Sequence, residues 1–155
     1  MDNSLAPSFP IMVVDDEDAI LFSIDTLLRM AGLNNIITCN DSREVMNILS
    51  SQEIEIILLD LSMPHLPGEK VLSMVADKFP EVPVVIITAA ANENSAVRCM
   101  ELGAFDYVIK PLEEAPLVTA VNQAMSFRKT NSVLIQSKSL HSWYDFHFHF
   151  NKVQR

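Results

Sequence analysis

Apolar runs rich in β-branched residues alternate with amphipathic stretches along most of the chain. This alternation is typical of βαβ units that build a parallel sheet. The five predicted strands are Ile11–Val14, Asn35–Cys39, Ile54–Leu59, Val84–Thr88 and Asp106–Ile109. The third and fourth are continuous aliphatic runs, which predicts that both of their faces are buried and that they lie at the centre of the sheet.

Helical spacing of apolar residues fills each interval between the predicted strands and continues after the last one. The five predicted helices are Ala19–Met30, Ser42–Ser50, Gly68–Phe79, Ser95–Leu102 and Glu113–Phe127. Right-handed crossovers would place these helices on both faces of the sheet. The pattern predicts an α/β fold, doubly wound around a five-stranded parallel sheet, with its ligand crevice at the carboxyl ends of the strands.

Length and composition fit one domain with its own apolar core. The chain has 155 residues, 49% of them hydrophobic, and a domain of this size needs no disulfide or structural metal for stability. Cys39 and Cys99 stand alone without CxxC spacing, so we expect reduced core thiols. The predicted organisation is an N-terminal extension at 1–9, a domain at 10–129 and a C-terminal appendage or linker remnant at 130–155.

Charge and hydropathy disfavour two classes of partner. The net charge is −9, from 11 Lys and Arg against 20 Asp and Glu, whereas nucleic-acid affinity depends on basic residues that neutralise phosphates. The first apolar stretch, Phe9–Val14, is interrupted by Pro10 and is too short to span a membrane. We therefore expect a cytoplasmic protein that binds neither nucleic acid directly nor a membrane.

The segment after Lys129 shows little helical periodicity, and Phe146–Phe150 alternates phenylalanine with histidine. Three interpretations stay open: an edge strand, a partner-binding segment, or the remnant of a longer protein. A metal site formed by His141, His147 and His149 is disfavoured because no Cys or carboxylate stands at ligand spacing.

Charged and hydroxyl side chains stand where the predicted strands end. Asp15 and Asp16 follow the first strand, Asp60 follows the third, Thr88 ends the fourth and Lys110 follows the fifth. Because the carboxyl ends of parallel strands meet at one edge, these groups should converge there. Three carboxylates would raise one another's pKa unless a cation lay among them, and oxygen ligands at a water-accessible edge suit Mg²⁺.

The same edge carries groups suited to anionic oxygens. Lys110 adds a positive charge and Thr88 a hydroxyl donor, and both can stabilise a transferring phosphoryl group. Each residue alone is a weak signal, since paired aspartates are common in helix caps and Lys-Pro pairs in surface turns. Their joint placement at four strand ends favours phosphoryl transfer to a carboxylate.

These strand-end motifs resemble the receiver domains of response regulators in two-component signal transduction, over about Pro10 to Lys129. The matching residues are Val13–Glu17, Leu58–Pro64 with Gly68, Ile86–Ala89 and Gly103–Pro111. The resemblance implies a flavodoxin-like, CheY-like sheet in the order 2-1-3-4-5. It also implies a phosphoacceptor signalling domain rather than a turnover enzyme.

By this resemblance, Asp60 accepts a phosphoryl group from a sensor histidine kinase or a phosphotransfer protein in a Mg²⁺-dependent reaction. Asp16, Asp60 and the backbone carbonyl of Ser62 would bind the ion directly, and Asp15 would act through water. In the family, the two positions that correspond to Ser62 and Ala90 affect the lifetime of the phosphoryl group. Neither carries an amide or carboxylate that could position water, so slow self-hydrolysis is expected.

The resemblance also implies a conformational switch. Lys110, preceding a cis Pro111, would pair with the Asp60 carboxylate and then with the phosphoryl oxygens. Thr88 would move to bond a phosphoryl oxygen and Tyr107 would turn inward. The altered surface, formed by the fourth helix, fifth strand and fifth helix, is a possible homodimer face, and the switch would control an output domain or partner.

Two other functions compete with this one. A haloacid-dehalogenase-type phosphotransferase also uses an aspartyl nucleophile with Mg²⁺, but it needs a second aspartate where this chain has Ser62. A module that binds partners without phosphorylation would not require the complete set of strand-end residues. The stretch from Ala96 to Pro111 is similar to receivers that precede ATPase modules in transcriptional activators. The 26 residues after Lys129 are too few for such an output domain, so the chain is expected to be either a stand-alone regulator or part of a longer protein.

Overall fold

The computed structural model describes residues 6–89 and 93–137, and these form a parallel sheet flanked by helices. The strands are β1 (Ile11–Val14), β2 (Ile36–Cys39), β3 (Ile56–Asp60), β4 (Val84–Thr88) and β5 (Asp106–Ile109). The helices are α1 (Asp18–Met30), α2 (Val45–Ser51), α3 (Gly68–Lys78), α4 (Glu93–Glu101) and α5 (Glu114–Ser137), with a 3-10 helix, Ser42–Glu44, before α2. The strand order β2-β1-β3-β4-β5, with every pair parallel, confirms the predicted doubly wound sheet.

Two apolar layers cover the sheet. Alternate residues of β1 show the division: Ile11 and Val13 pack towards α1 and α5, whereas Met12 and Val14 pack towards α2, α3 and α4. Every residue of β3 and β4 is buried, as their aliphatic sequences predicted. Burial of each large aliphatic side chain contributes about 1.5–3 kcal/mol, so these layers hold the strand ends in a fixed arrangement.

The last helix is longer than the sequence pattern predicted, because α5 ends at Ser137 rather than Phe127. The prediction that helical character ends at Lys129 is therefore wrong for residues 130–137. The reason is that Arg128 and Asn131 take inward positions that apolar residues occupy earlier in the helix, and both are buried. The remaining tail, 138–155, with its phenylalanine and histidine residues, lies outside the described residues, and the domain boundaries stay a prediction.

Arg128 attaches α5 to the amino-terminal edge of the sheet. Its guanidinium donates to the backbone carbonyls of Ile54 and, at 2.8 Å, Glu55, and it lies 5.5 Å from the centre of the Phe9 ring. A buried guanidinium needs such acceptors, since an unpaired buried charge is strongly destabilising. The start of β3 is thus fixed at one edge, and its carboxyl end faces the opposite edge.

Both cysteines are buried and unpaired, as the sequence predicted. Burial raises the pKa of the Cys39 and Cys99 thiols, which keeps them protonated and unreactive. Among the described residues, no helix combines the length and apolar character needed to cross a membrane.

Candidate functional site

Three aspartates converge at the carboxyl edge of the sheet. Asp15 and Asp16 follow β1, Asp60 ends the neighbouring strand β3, and one carboxylate oxygen from each lies within 4.8 Å of the others. Asp15 and Asp60 are buried, whereas Asp16 is exposed. The cluster therefore has two members held in the protein interior and one at the solvent boundary.

Lys110 brings a cation to this cluster from the loop after β5. Its ammonium nitrogen lies 3.1 Å from Asp15 Oδ2 and 3.3 Å from Asp60 Oδ1, and its side chain is 16% exposed. The Lys110 backbone N–H donates to the Thr88 carbonyl at 2.8 Å, and the Lys110–Pro111 peptide bond is cis. Four of the strand-end residues singled out from the sequence thus meet in one place, namely Asp15, Asp16, Asp60 and Lys110. Thr88 joins them through its backbone carbonyl.

The charges at the site do not balance. Three carboxylates and one ammonium leave a formal charge of −2. Burial raises the pKa of Asp60, the charge of Asp15 raises it further, and Lys110 only partly opposes this. Burial alone would lower the pKa of Lys110, but its hydrogen bond to Asp15 and the charge of Asp60 outweigh that effect and raise it. A divalent cation would relieve the repulsion among the carboxylates.

The carboxylate of Asp15 is already engaged on both oxygens. Oδ1 accepts the Glu17 backbone N–H at 2.9 Å, and Oδ2 accepts from Lys110. This leaves Asp16 and Asp60 better placed than Asp15 to offer an oxygen to an ion. All the donors are oxygen atoms, which suits a hard cation such as Mg²⁺ rather than a softer metal.

The loop between β3 and α3 closes against the backbone of Asp60. Gly68 donates its N–H to the Leu61 carbonyl at 3.1 Å, and a Cβ at Gly68 would lie only 2.3 Å from the Asp60 carbonyl oxygen. Ser62 lies in this loop with its side chain exposed. Glycine at 68 therefore permits a close return of the chain that another residue would block.

The two proposed switch residues differ in exposure. Thr88 is 5% exposed at the end of β4, directly after Ile87, whose Cα pairs with that of Asp60. Tyr107 in β5 is 37% exposed and so stands at the surface. Ala90, which was implicated in the phosphoryl lifetime, lies outside the described residues.

One buried polar residue that contacts the loop after Asp60 is not indicated by the sequence pattern. Ser42 is 2% exposed, and its hydroxyl donates to the Leu66 carbonyl at 2.7 Å, across a separation of 24 residues. The sequence shows only the pair Asp41-Ser42 before a predicted helix. Such a pair predicts a helix cap and does not indicate a hydrogen bond to a distant residue.

A family model described as the response regulator receiver domain matches residues 11–122. Among curated proteins, the probable transcriptional regulator ycf27 of Guillardia theta is 30% identical over 137 residues, which cover 88% of this chain and 52% of that protein. The DNA-binding transcriptional regulator NtrC of Escherichia coli is 34% identical over 116 residues, 75% of this chain and 24% of that protein. The chain thus spans about half of one relative and a quarter of the other.

Solved structures of response regulators also resemble this chain. A response regulator receiver domain protein from Clostridium thermocellum is 31% identical with a TM-score of 0.73, over 79% of this chain and 98% of that one. NtrX from Brucella abortus is 25% identical with a TM-score of 0.78, over 86% of this chain and 30% of that one. These matches favour the receiver interpretation over the haloacid-dehalogenase alternative.

Proposed function

The chain belongs to the response regulator receiver domains of two-component systems, and from this premise we propose that Asp60 accepts a phosphoryl group from a histidine kinase or a phosphotransfer protein. The proposal rests on the position of the Asp60 carboxylate beside two other carboxylates and the Lys110 ammonium. Asp60 is buried within 4.8 Å of two further carboxylates and 3.3 Å from the Lys110 ammonium. A carboxylate held beside both acidic ligands and a cation is suited to nucleophilic attack on phosphorus.

The transfer step forms one bond and breaks another. A carboxylate oxygen of Asp60 attacks the phosphorus of the donor's phosphohistidine, the P–N bond breaks, and its electron pair returns to the donor imidazole. The product is an acyl phosphate on Asp60. Lys110 already lies 3.3 Å from that carboxylate. It would balance negative charge on the phosphoryl oxygens while the phosphoryl group transfers.

Asp16, Asp60 and the backbone carbonyl of Ser62 would hold Mg²⁺, with Asp15 acting through water. The two oxygens of Asp15 already accept from Glu17 and Lys110, which supports this indirect role. When bound, the ion would supply positive charge against the phosphoryl oxygens. The all-oxygen donor set and the formal charge of −2 fit a hard divalent cation.

Phosphorylation would then shift a conformational equilibrium. It adds a charge of roughly −1.5 to −2 at Asp60, towards which the Thr88 hydroxyl would move while Tyr107 turns inward. A buried Thr88 and a surface Tyr107 are the starting positions that such a movement requires. Val97 and Ile109 are also exposed on the face formed by α4, β5 and α5, which supports this face as the surface of a homodimer.

The phosphorylated domain would act on an output domain or a separate partner, with slow self-hydrolysis resetting it. NtrC is described as a DNA-binding regulator, but this chain covers only a quarter of it. We therefore assign DNA contact, if the whole protein makes it, to a part outside this domain. The expected cytoplasmic location stays a prediction.

Labelling by a small phosphodonor tests the central proposal. We expect acetyl phosphate with Mg²⁺ to modify the wild-type protein at Asp60, as detected by mass spectrometry of the intact chain and of its peptides. Asp60→Asn should abolish the label, whereas Asp77→Asn, an exposed aspartate of α3, should retain it. A label that persists on the Asp60→Asn variant would overturn the proposal.

The dimer has a separate test. Solution mass measured with and without beryllofluoride, which mimics the acyl phosphate, should increase when the mimic binds. A mass that stays monomeric in saturating beryllofluoride would contradict the dimer and leave the phosphoacceptor assignment in place.

A further inference from the structure

The loop at 61–67, between β3 and α3, contains a strained turn. His65 has a φ of 67°, and the Leu66 backbone N–H donates to the Pro64 carbonyl at 2.8 Å. A three-residue turn with a positive φ at its centre is a γ-turn of the rare kind, and a non-glycine residue holds it only when the surroundings impose it. Something outside the turn should therefore hold this loop in place.

Ser42 provides one such restraint, in addition to the packing of Leu61, Met63 and Leu66 on the apolar core. Its hydroxyl donates to the Leu66 carbonyl at 2.7 Å, directly after the residue with the positive φ. The other hydrogen bonds that the described structure gives to 61–67 join this loop to itself or to the first turn of α3. The Ser42 bond thus ties it to a distant segment, and the burial of Ser42 protects that bond from competition by water.

The loop also carries a group that the ion site needs. Ser62 lies within it, two residues after Asp60, and its backbone carbonyl is the third ion ligand of the proposed function. A displacement of about 1 Å in a ligand can weaken a metal site substantially, because ligands must be held within narrow limits. Restraint of the loop therefore bears on the affinity for the ion.

We propose that Ser42 is a positioning residue for the divalent-ion site, which rests on the proposed function: its hydroxyl holds the loop at 61–67 in the turn that keeps the Ser62 carbonyl available beside Asp16 and Asp60. Ser42 touches neither the ion nor the phosphoryl group in this proposal. Its effect passes through the Leu66 carbonyl and the turn at His65.

Titration calorimetry with Mg²⁺ alone tests the proposal on the full chain. Ser42→Ala should weaken Mg²⁺ binding about three- to tenfold, the effect of losing one protected hydrogen bond. At saturating Mg²⁺, the rate at which acetyl phosphate labels Asp60 should return to within about twofold of wild type, because the loss is one of ion affinity. Ser50→Ala is the matched control, since the Ser50 hydroxyl donates to the Met46 carbonyl at 2.9 Å on an exposed face of α2.

A second variant separates positioning from general destabilisation. Glycine adopts a positive φ without steric cost, so His65→Gly should keep the turn without the Ser42 bond and restore the Mg²⁺ affinity of Ser42→Ala to within about twofold of wild type. A Ser42→Ala protein with wild-type affinity would overturn the proposal, as would a loss that His65→Gly does not restore. If the wild type itself neither binds Mg²⁺ nor labels at Asp60, the proposed function fails, and this inference fails with it.

Discussion

The ammonium nitrogen of Lys110 lies 3.3 Å from Asp60 Oδ1, although 50 residues separate the two along the chain. The same nitrogen is 3.1 Å from Asp15 Oδ2, so one cation is shared by two buried carboxylates. The shorter contact is with Asp15, which the family resemblance did not indicate. Lys110 thereby limits the repulsion between Asp15 and Asp60. In the proposed function it would also balance negative charge on the phosphoryl oxygens.

Replacement of Lys110 by methionine should slow labelling of Asp60 by acetyl phosphate about 10²-fold at saturating Mg²⁺, because a preorganised positive charge is lost. Asp15 and Asp60 would then face each other without their shared cation, and the pKa of Asp60 should rise further. The measurement is the initial rate of labelling by intact-mass spectrometry. Lys70→Met, at an exposed position of α3, is the control, and a Lys110→Met rate within about threefold of wild type would contradict the role.

Mg²⁺ should stabilise the folded protein, because in the proposed function the ion would bind the assembled aspartates and not the unfolded chain. At ten times the dissociation constant the gain is about 1.4 kcal/mol, or a rise of roughly 3 to 6 °C in the thermal midpoint for a domain of this size. Asp16→Asn should remove most of the rise. Asp18→Asn, two residues later and outside the cluster, should keep at least half of it, and equal rises in the two variants would count against the site.

Two glycines should respond differently to alanine. Gly68→Ala places a Cβ 2.3 Å from the Asp60 carbonyl oxygen and 2.6 Å from Leu61 Cα, so the backbone must move at a cost of about 3 kcal/mol. Gly32→Ala meets nothing within 4 Å but keeps a φ of +85°, which costs about 1 kcal/mol. Urea unfolding measures both, and only the Gly68 variant should also lose Mg²⁺ affinity. Equal destabilisation of the two would show that close approach to Asp60 is not the cause.

Asp41 should titrate well below an ordinary aspartate. Its carboxylate accepts hydrogen bonds from the Arg43 side chain and backbone N–H, and these lower its pKa from 3.8 to about 2. Because the folded-state pKa is the lower one, the pair stabilises the fold above about pH 3.8, and this contribution is lost as the pH falls through about 2. Arg43→Gln should raise the pKa of Asp41, as measured by carboxyl NMR. An unchanged midpoint would assign the shift to the backbone bond alone.

Much of the fold could be predicted because the strands and helices of a parallel α/β sheet have distinct patterns of apolar residues. The aliphatic runs of β3 and β4 correspond to strands buried on both faces, and the apolar spacing of α1 and α3 corresponds to their inward faces. The end of α5 could not be predicted in the same way. Its inward stripe changes from apolar residues to Arg128 and Asn131, and both are buried. The guanidinium of Arg128 is accommodated because backbone carbonyls distant in sequence accept its hydrogen bonds.

The sequence by itself determined which residues meet at the site, because strand ends are visible as the points where aliphatic runs stop, and parallel strands bring those points to one edge. Only the tertiary structure decided how the side chains pair there: that Lys110 bonds Asp15 as well as Asp60, and that Ser42 holds the loop through Leu66. A hydrogen bond requires atoms to approach within about 3 Å. Partners 24 to 95 residues apart reach that distance only when the sheet and its loops are assembled.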